Sequence, residues 1–248
     1  MRNSLMAGAM VVCVAALAHA QGQPGGAPPP PPANLQVLAK DMPRPQVVQV
    51  MQTYTAALGV ECNYCHVQEG RGGRNDFAAD DKPAKKTARE MMKLTRDINE
   101  KVPTLVGKAA GTATTVACAT CHRGVAIPKQ LTDVVADASA SGGASAGLAK
   151  YKELREKYYG GQSYDFSEGG LIAIARRAQT DKKLDDAVAY LQANLEYYPK
   201  SSRTYQALSQ VENAKGDKAG AIKDLEKAVE LDPENAQAKA QLQQLKGQ

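Results

Sequence analysis

Two pentapeptides hold the reactive side chains of this sequence: Cys62-Asn63-Tyr64-Cys65-His66 and Cys118-Ala119-Thr120-Cys121-His122. Each sets two thiols three positions apart, with an imidazole immediately after the second. That spacing allows both sulfurs to form thioethers with the vinyl groups of one haem while the adjacent histidine turns its ring to the iron. Paired Cys-X-X-Cys units are also zinc ligand sets, but zinc held by four thiolates would leave both histidines without a role. The chain has three histidines and five cysteines, of which His19 and Cys13 stand near the N-terminus and all the others in the two motifs. A redox dithiol of the thioredoxin kind expects a βαβ context, and no such alternation is visible. The reading is two covalently attached haem c groups. Cys62, Cys65, Cys118 and Cys121 would hold the porphyrins, and His66 and His122 would be the proximal iron ligands.

Each iron then takes a sixth ligand or keeps an open position. Outside the N-terminal leader the thioethers are Met42, Met51, Met91 and Met92. Met42 precedes Pro43, which disfavours a helical conformation there. Pro43-Arg44-Pro45 opens a helical pattern with Val47, Met51, Tyr54 and Leu58 on one face, and Gly59 suits its C-terminus. Met51 lies mid-helix, placed to reach back over a haem attached just beyond. A second pattern over residues 85–102 puts Ala88, Met91, Leu94, Ile98 and Val102 on one face. Neighbouring helical residues point about 100° apart, so Met92 is expected at the edge of that face. Met51 is assigned to the first haem and Met91 to the second. Water or lysine is the competing ligand, and ordinary core packing the competing role for a methionine at helical spacing.

The ends bound the location. Arg2, an apolar stretch from Leu5 to Ala18 and Ala18-His19-Ala20 read as a secretory signal over residues 1–20. That stretch is shorter than the roughly 17 residues a bilayer-spanning helix needs, and Val12 before Cys13 is not the small residue of a lipoprotein cleavage site. A periplasmic mature protein without a transmembrane span is expected, because c-type attachment is completed outside the bacterial cytoplasm. Residues 21–33 are Gly/Pro-rich, with an unbroken run from Pro28 to Pro32, and read as an extended tether. The formal charge of +5 is mild and the haem propionates reduce it, so nucleic acid is not an expected partner. The Lys82 to Lys86 segment reads as a solvated helix start that could also steer an acidic redox partner.

The string from Met51 through Cys62 to His66 resembles the methionine helix and haem motif of the photosynthetic reaction-centre cytochrome c subunit family. Phe77-Ala-Ala-Asp, the segment from Ala88 through Met91 to Asn99, and Cys118 through His122 to Gly124 carry the same resemblance, which extends over roughly Asn34 to Leu131. In that family a helix supplies a methionine to the haem bound after it, and the matching residues here are Met51 and Met91. Photosynthetic members carry four haems as two pairs. This chain has one pair and lacks the histidine that ligates one of the four, so the resemblance implies electron transfer but leaves open whether the pathway is photosynthetic or respiratory. Di-haem relatives fused to helical repeats look like periplasmic electron carriers.

Residues 132–149 are rich in Ala, Ser and Gly and read as a linker. A 34-residue period follows, pairing Ala187 with Ala221, Leu191 with Leu225, Leu195 with Val229 and Pro199 with Pro233. This resembles the tetratricopeptide repeat. Helix pairs are expected at 170–178 with 184–197 and at 203–214 with 218–231, capped by 236–245 and preceded by a short helix from Tyr151 to Tyr159. The predicted fold is mainly α, with little regular sheet: a di-haem cytochrome c domain over residues 34–131 and a tetratricopeptide-like domain over residues 150–248. The expected function is electron transfer between redox proteins, some of them membrane-bound, with repeats that dock a partner or a second copy. Two other classes stay open. One is a haem peroxidase or gas sensor with an open iron, which would need a distal acid or base that no spare histidine supplies. The other is a repeat scaffold recruiting a redox complex.

Overall fold

The computed structural model describes residues 32–68 and 75–247, so the leader and nearly all of the Pro-rich tether lie outside the described residues. The described chain is mainly α-helical. Helix α1 spans Arg44–Leu58, α2 Pro83–Leu105, α3 Cys118–His122, α4 Leu131–Tyr158, α5 Glu168–Thr180, α6 Leu184–Tyr197, α7 Ser202–Lys215, α8 Lys218–Leu231 and α9 Ala236–Gly247. The sheet is a minimal antiparallel pair, β1 (Val67–Gln68) with β2 (Asn75–Asp76), in register Val67 to Asp76.

The repeat half owns the polypeptide core. Tyr151, Leu171, Ile172, Tyr190, Leu191 and Val211 are almost fully enclosed in one cluster. Ala187 and Ala221, one 34-residue period apart, are both fully buried, as are Leu191 and Leu225. Small residues at the first pair let the helices of each hairpin approach, and the leucines fill the layer between them. Ser201 caps α7 by accepting from the Thr204 N–H, and Asp217 caps α8 by accepting from the Gly220 N–H, each at 2.9 Å.

The expected linker is a packed helix. Residues 132–149 form the first two-thirds of α4, bent at Gly142 and Gly143, where φ is 64°. Val135 is fully buried, and Gly147 stands where a Cβ would lie 2.1 Å from the Tyr190 hydroxyl. The small residues that looked like linker composition are there because α4 lies against α5 and α6. Ser139 and Tyr190 share a buried hydroxyl–hydroxyl bond of 2.5 Å across that contact. The short helix expected from Tyr151 is the end of the same element.

Between α7 and α8, burial and the nearby Asp224 carboxyl push Glu212 up to about 7, and one of its oxygens is enclosed without a donor. A carboxyl whose folded value exceeds its unfolded one binds protons in the folded state first, so it weakens the fold as pH rises from about 4.5 to 7. Discounted for solvent screening, the effect is about 1 kcal/mol. The denaturation midpoint of the repeat half should therefore be higher at pH 5 than at pH 8 in wild type, and the difference should shrink in Glu212→Gln.

The other half has almost no polypeptide core. Among the described residues between 32 and 130 the only buried apolar side chains are Ala57 and Val125, whereas eight of the nine exposed large hydrophobics of the described chain lie there, among them Phe77, Met91, Leu94 and Ile127. Polar ties position α2. Asp80 accepts ion pairs from Lys85 at 3.0 Å and Arg89 at 2.9 Å and also receives hydrogen bonds from Asn34 and Gln36. Further along α2, Asn99 exchanges two hydrogen bonds with the Val116 backbone, at 2.8 and 2.7 Å, and so anchors the segment entering the second motif. The Lys82 to Lys86 segment is thus not simply solvated. Lys85 is buried and donates to the carbonyls of Phe77, Ala78 and Ala79, while Lys82 donates to the Asn63 carbonyl inside the first motif.

Candidate haem-binding site

Both motifs follow helix-forming segments that aim them. Gly59 ends α1 in the left-handed region, as its place in the sequence predicts, and the chain turns into a 3-10 segment over Cys62–Tyr64. The Cys65 and His66 N–H groups both donate to the Cys62 carbonyl, at 3.3 and 3.0 Å. In the second motif the five residues Cys118–His122 are α3 itself, with the Thr120 hydroxyl accepting from the Ala117 N–H. In either conformation residues three apart share a side, so each pair of thiols stands on one side of its turn.

None of Cys62, Cys65, Cys118 and Cys121 is paired in a disulfide, and burial pushes the Cys65 and Cys118 thiols up. Among the described residues no three His, Cys, Asp or Glu side chains gather into a metal-ligand set. The imidazoles fit haem ligation in two ways. His122 donates from Nδ1 to the Val125 carbonyl at 3.0 Å, which leaves Nε2 as the free donor atom for a metal. His66 packs edge-on to Phe77, 5.0 Å between ring centroids. Burial, followed by the charges of Lys85 and Arg89, lowers its pKa and favours the neutral ring that coordinates iron.

The second motif meets the helix that leads into the first. The Gly124 N–H, just past His122, donates to the Ala57 carbonyl at 2.8 Å, so α1 packs against α3 as well as leading into the first motif. A cleft of about 440 Å³ beside Cys62 is lined by Thr55, Val60, Glu61, Cys62, Asn63 and Gln68.

The methionines fall differently from expectation in one respect. Val47, Met51, Tyr54 and Leu58 are all half-buried, as one face of α1 should be. On α2 the stripe that meets polypeptide runs through Lys85, Arg89, Met92 and Asn99. Met91 and Leu94 are exposed at 39% and 49% on a side roughly 100° or more away. Met92, expected at the edge, is the more enclosed of the two methionines, because the inward contacts of α2 are the polar ties of Lys85, Arg89 and Asn99. On the apolar face of α2, Met91 and Leu94 are exposed while Ala88, Ile98 and Val102 are half-buried. Exposed apolar side chains beside thiols, imidazoles and thioether sulfurs fit a porphyrin.

Sequence reasoning missed Asp80, Lys85, Arg89, Asn99 and Gly124 as positioning residues. Their signal lay only in the strings around the motifs, since what each does depends on contacts far along the chain.

Comparison with known proteins agrees. The family described as photosynthetic reaction centre cytochrome C subunit matches residues 18–163. Cytochrome c-554 of Chloroflexus aurantiacus is 40% identical over 94 residues, which is 38% of this chain and 20% of that protein, so the chain spans about a fifth of the length of that curated relative. Among solved structures, the first tetratricopeptide repeat domain of Spaghetti (RPAP3), bound to an HSP90 peptide, is 16% identical with a TM-score of 0.34, over 47% of this chain and 88% of that one. With thiol pairs, imidazoles and exposed apolar side chains arranged as above, and with more than half its length matched, this chain belongs to the photosynthetic reaction centre cytochrome c subunit family.

Proposed function

We propose that the chain is a periplasmic di-haem cytochrome that passes electrons between protein redox partners, and that its helical repeats dock a partner or a second copy. Cys62 and Cys65 hold one haem c and Cys118 and Cys121 the other. His66 and His122 are the proximal ligands, and Met51 and Met91 complete the coordination. The junction of α1 with α3 supports this reading, because it brings the second motif against the helix that leads into the first, so that haems attached at the two would be neighbours able to exchange an electron. Bound haem supplies one-electron iron chemistry, and methionine as sixth ligand favours the ferrous state relative to a second histidine. The polypeptide contributes the orientation of both imidazoles and, on α2, apolar side chains for a haem to cover. With both irons six-coordinate there is no place for a substrate, so the protein is a carrier and not itself a catalyst. Among the described residues no helix is long and apolar enough to cross a membrane.

Haem quantified per chain, with optical and magnetic spectra of wild type, Met51→Ala and Met91→Ala, tests the assignment. Two haems per chain are expected, and each variant should convert one low-spin iron to a high-spin form that binds carbon monoxide, while Met92→Ala stays low-spin. Low-spin spectra in both Met51→Ala and Met91→Ala would refute the ligand set.

A further inference from the structure

We propose that Ser163, in the loop between α4 and α5 of the repeat half, is a positioning residue for the imidazole of His122 and links the repeat half to the second haem alone. The inference rests on the reading of His122 as an iron ligand.

The geometry is a single pinned peptide unit. Directly after His122, Arg123 adopts φ 49°, a left-handed conformation that costs a non-glycine residue about 1 kcal/mol and so needs outside contacts to hold it. The peptide that follows is held at both ends. Its carbonyl, that of Arg123, accepts from the Ser163 hydroxyl at 2.6 Å, and its N–H, that of Gly124, donates to the Ala57 carbonyl at 2.8 Å. One end is thus fixed by the repeat half and the other by α1. Immediately beyond, the Val125 N–H donates back to the His122 carbonyl at 3.0 Å, and the Val125 carbonyl accepts the Nδ1–H of His122 at 3.0 Å. Rotation of the pinned plane would swing the Val125 carbonyl away from the imidazole. The first motif shows no counterpart among the described residues, where His66 Nδ1 is buried without a hydrogen-bond partner.

A hydrogen bond from Nδ1–H makes the imidazole a stronger donor to its metal, and a stronger donor stabilises ferric iron. Loosening the plane therefore weakens that donation and raises the midpoint potential of the second haem. Occupants of the repeat half that move the 160–166 loop would act on the same haem by the same route.

The experiment is a potentiometric titration of the full holoprotein, with the haems resolved by paramagnetic NMR, on wild type, Ser163→Ala and Ser163→Thr. In Ser163→Ala one of the two midpoint potentials should rise, the hyperfine-shifted resonances of that haem should move, and solvent exchange of the His122 Nδ1–H should quicken. Ser163→Thr, which keeps the hydroxyl, should restore all three. Far-UV circular dichroism and the denaturation midpoint of the repeat half should match wild type, which separates positioning from general destabilisation. Two unmoved potentials, or two equal shifts, would overturn the coupling. His122→Ala distinguishes the underlying reading: it should turn the second haem high-spin or release its iron ligation, and a low-spin second haem in that variant would remove His122 as ligand, and the coupling with it.

Discussion

Serine at Cys62, Cys65, Cys118 and Cys121 together is expected to unfold residues 32–130 while α4 to α9 remain folded. Ordering each residue costs roughly 1–2 kcal/mol of backbone entropy, and the usual return is apolar burial at about 25 cal/mol per Å². Among the described residues of 32–130 the buried apolar side chains are Ala57 and Val125 alone, a small return for ordering that length of chain. Phe77, Met91, Leu94 and Ile127 are exposed, and the haems of the proposed reading would cover apolar surface there. The repeat half needs no such help, since Tyr151, Leu171, Tyr190, Leu191 and Val211 form its own cluster. Amide hydrogen exchange reads the outcome directly. Amides of α1 and α2 should exchange in the fourfold variant almost as fast as in an unstructured chain, and those of α5 to α8 should stay protected. Retained protection in α1 and α2 would mean that the ion pairs of Asp80 and the Asn99 clamp suffice without haem.

Gly59→Ala should cost about 2–4 kcal/mol in the haem-bearing half, from the strain of a left-handed alanine together with a forced displacement of packed atoms. A Cβ at this position would stand 2.0 Å from the Gly124 carbonyl oxygen and 2.8 Å from its carbon. Both are backbone atoms of the loop that holds His122, so no rotamer change relieves the contact. Gly107→Ala is the control. That residue has the same φ of 65°, with nothing within 4 Å of its would-be Cβ, and should lose only about 1 kcal/mol for the conformation. Denaturant unfolding of both variants as holoproteins checks the difference. Equal losses would show that the close approach of α1 and the second motif does not contribute to stability.

The parts that were legible in the sequence share a property: each is decided by residues close together in the chain. The thiol spacing of Cys62 and Cys65, the helical period through Val47, Met51, Tyr54 and Leu58, and the stop at Gly59 are local. The helix bounds of the repeats, such as Leu184–Tyr197 and Lys218–Leu231, follow from a period that brings neighbouring units together. Composition misled where its cause was distant. Residues 132–149 are small because Tyr190 and Asp186 of α6 lie against them, as the Asp186 carboxylate accepting from Ala144 at 3.2 Å shows, and small residues next to such a helix read in isolation like a linker. Lys85 looked solvated because nothing near it in sequence announces that three carbonyls and Asp80 surround it.

By itself, then, the sequence determined the haem c signature that the family shares and the mainly helical class, because thiol spacing and hydrophobic period are short-range properties. Only the tertiary structure decided which face of α2 polypeptide covers, that the turn after His122 rests on Ala57, and that Ser163 from the repeat half, 40 residues away, holds the Arg123 carbonyl. Those contacts depend on where the backbone lies after every element has packed, and on single carbonyl and amide groups that every residue type carries alike.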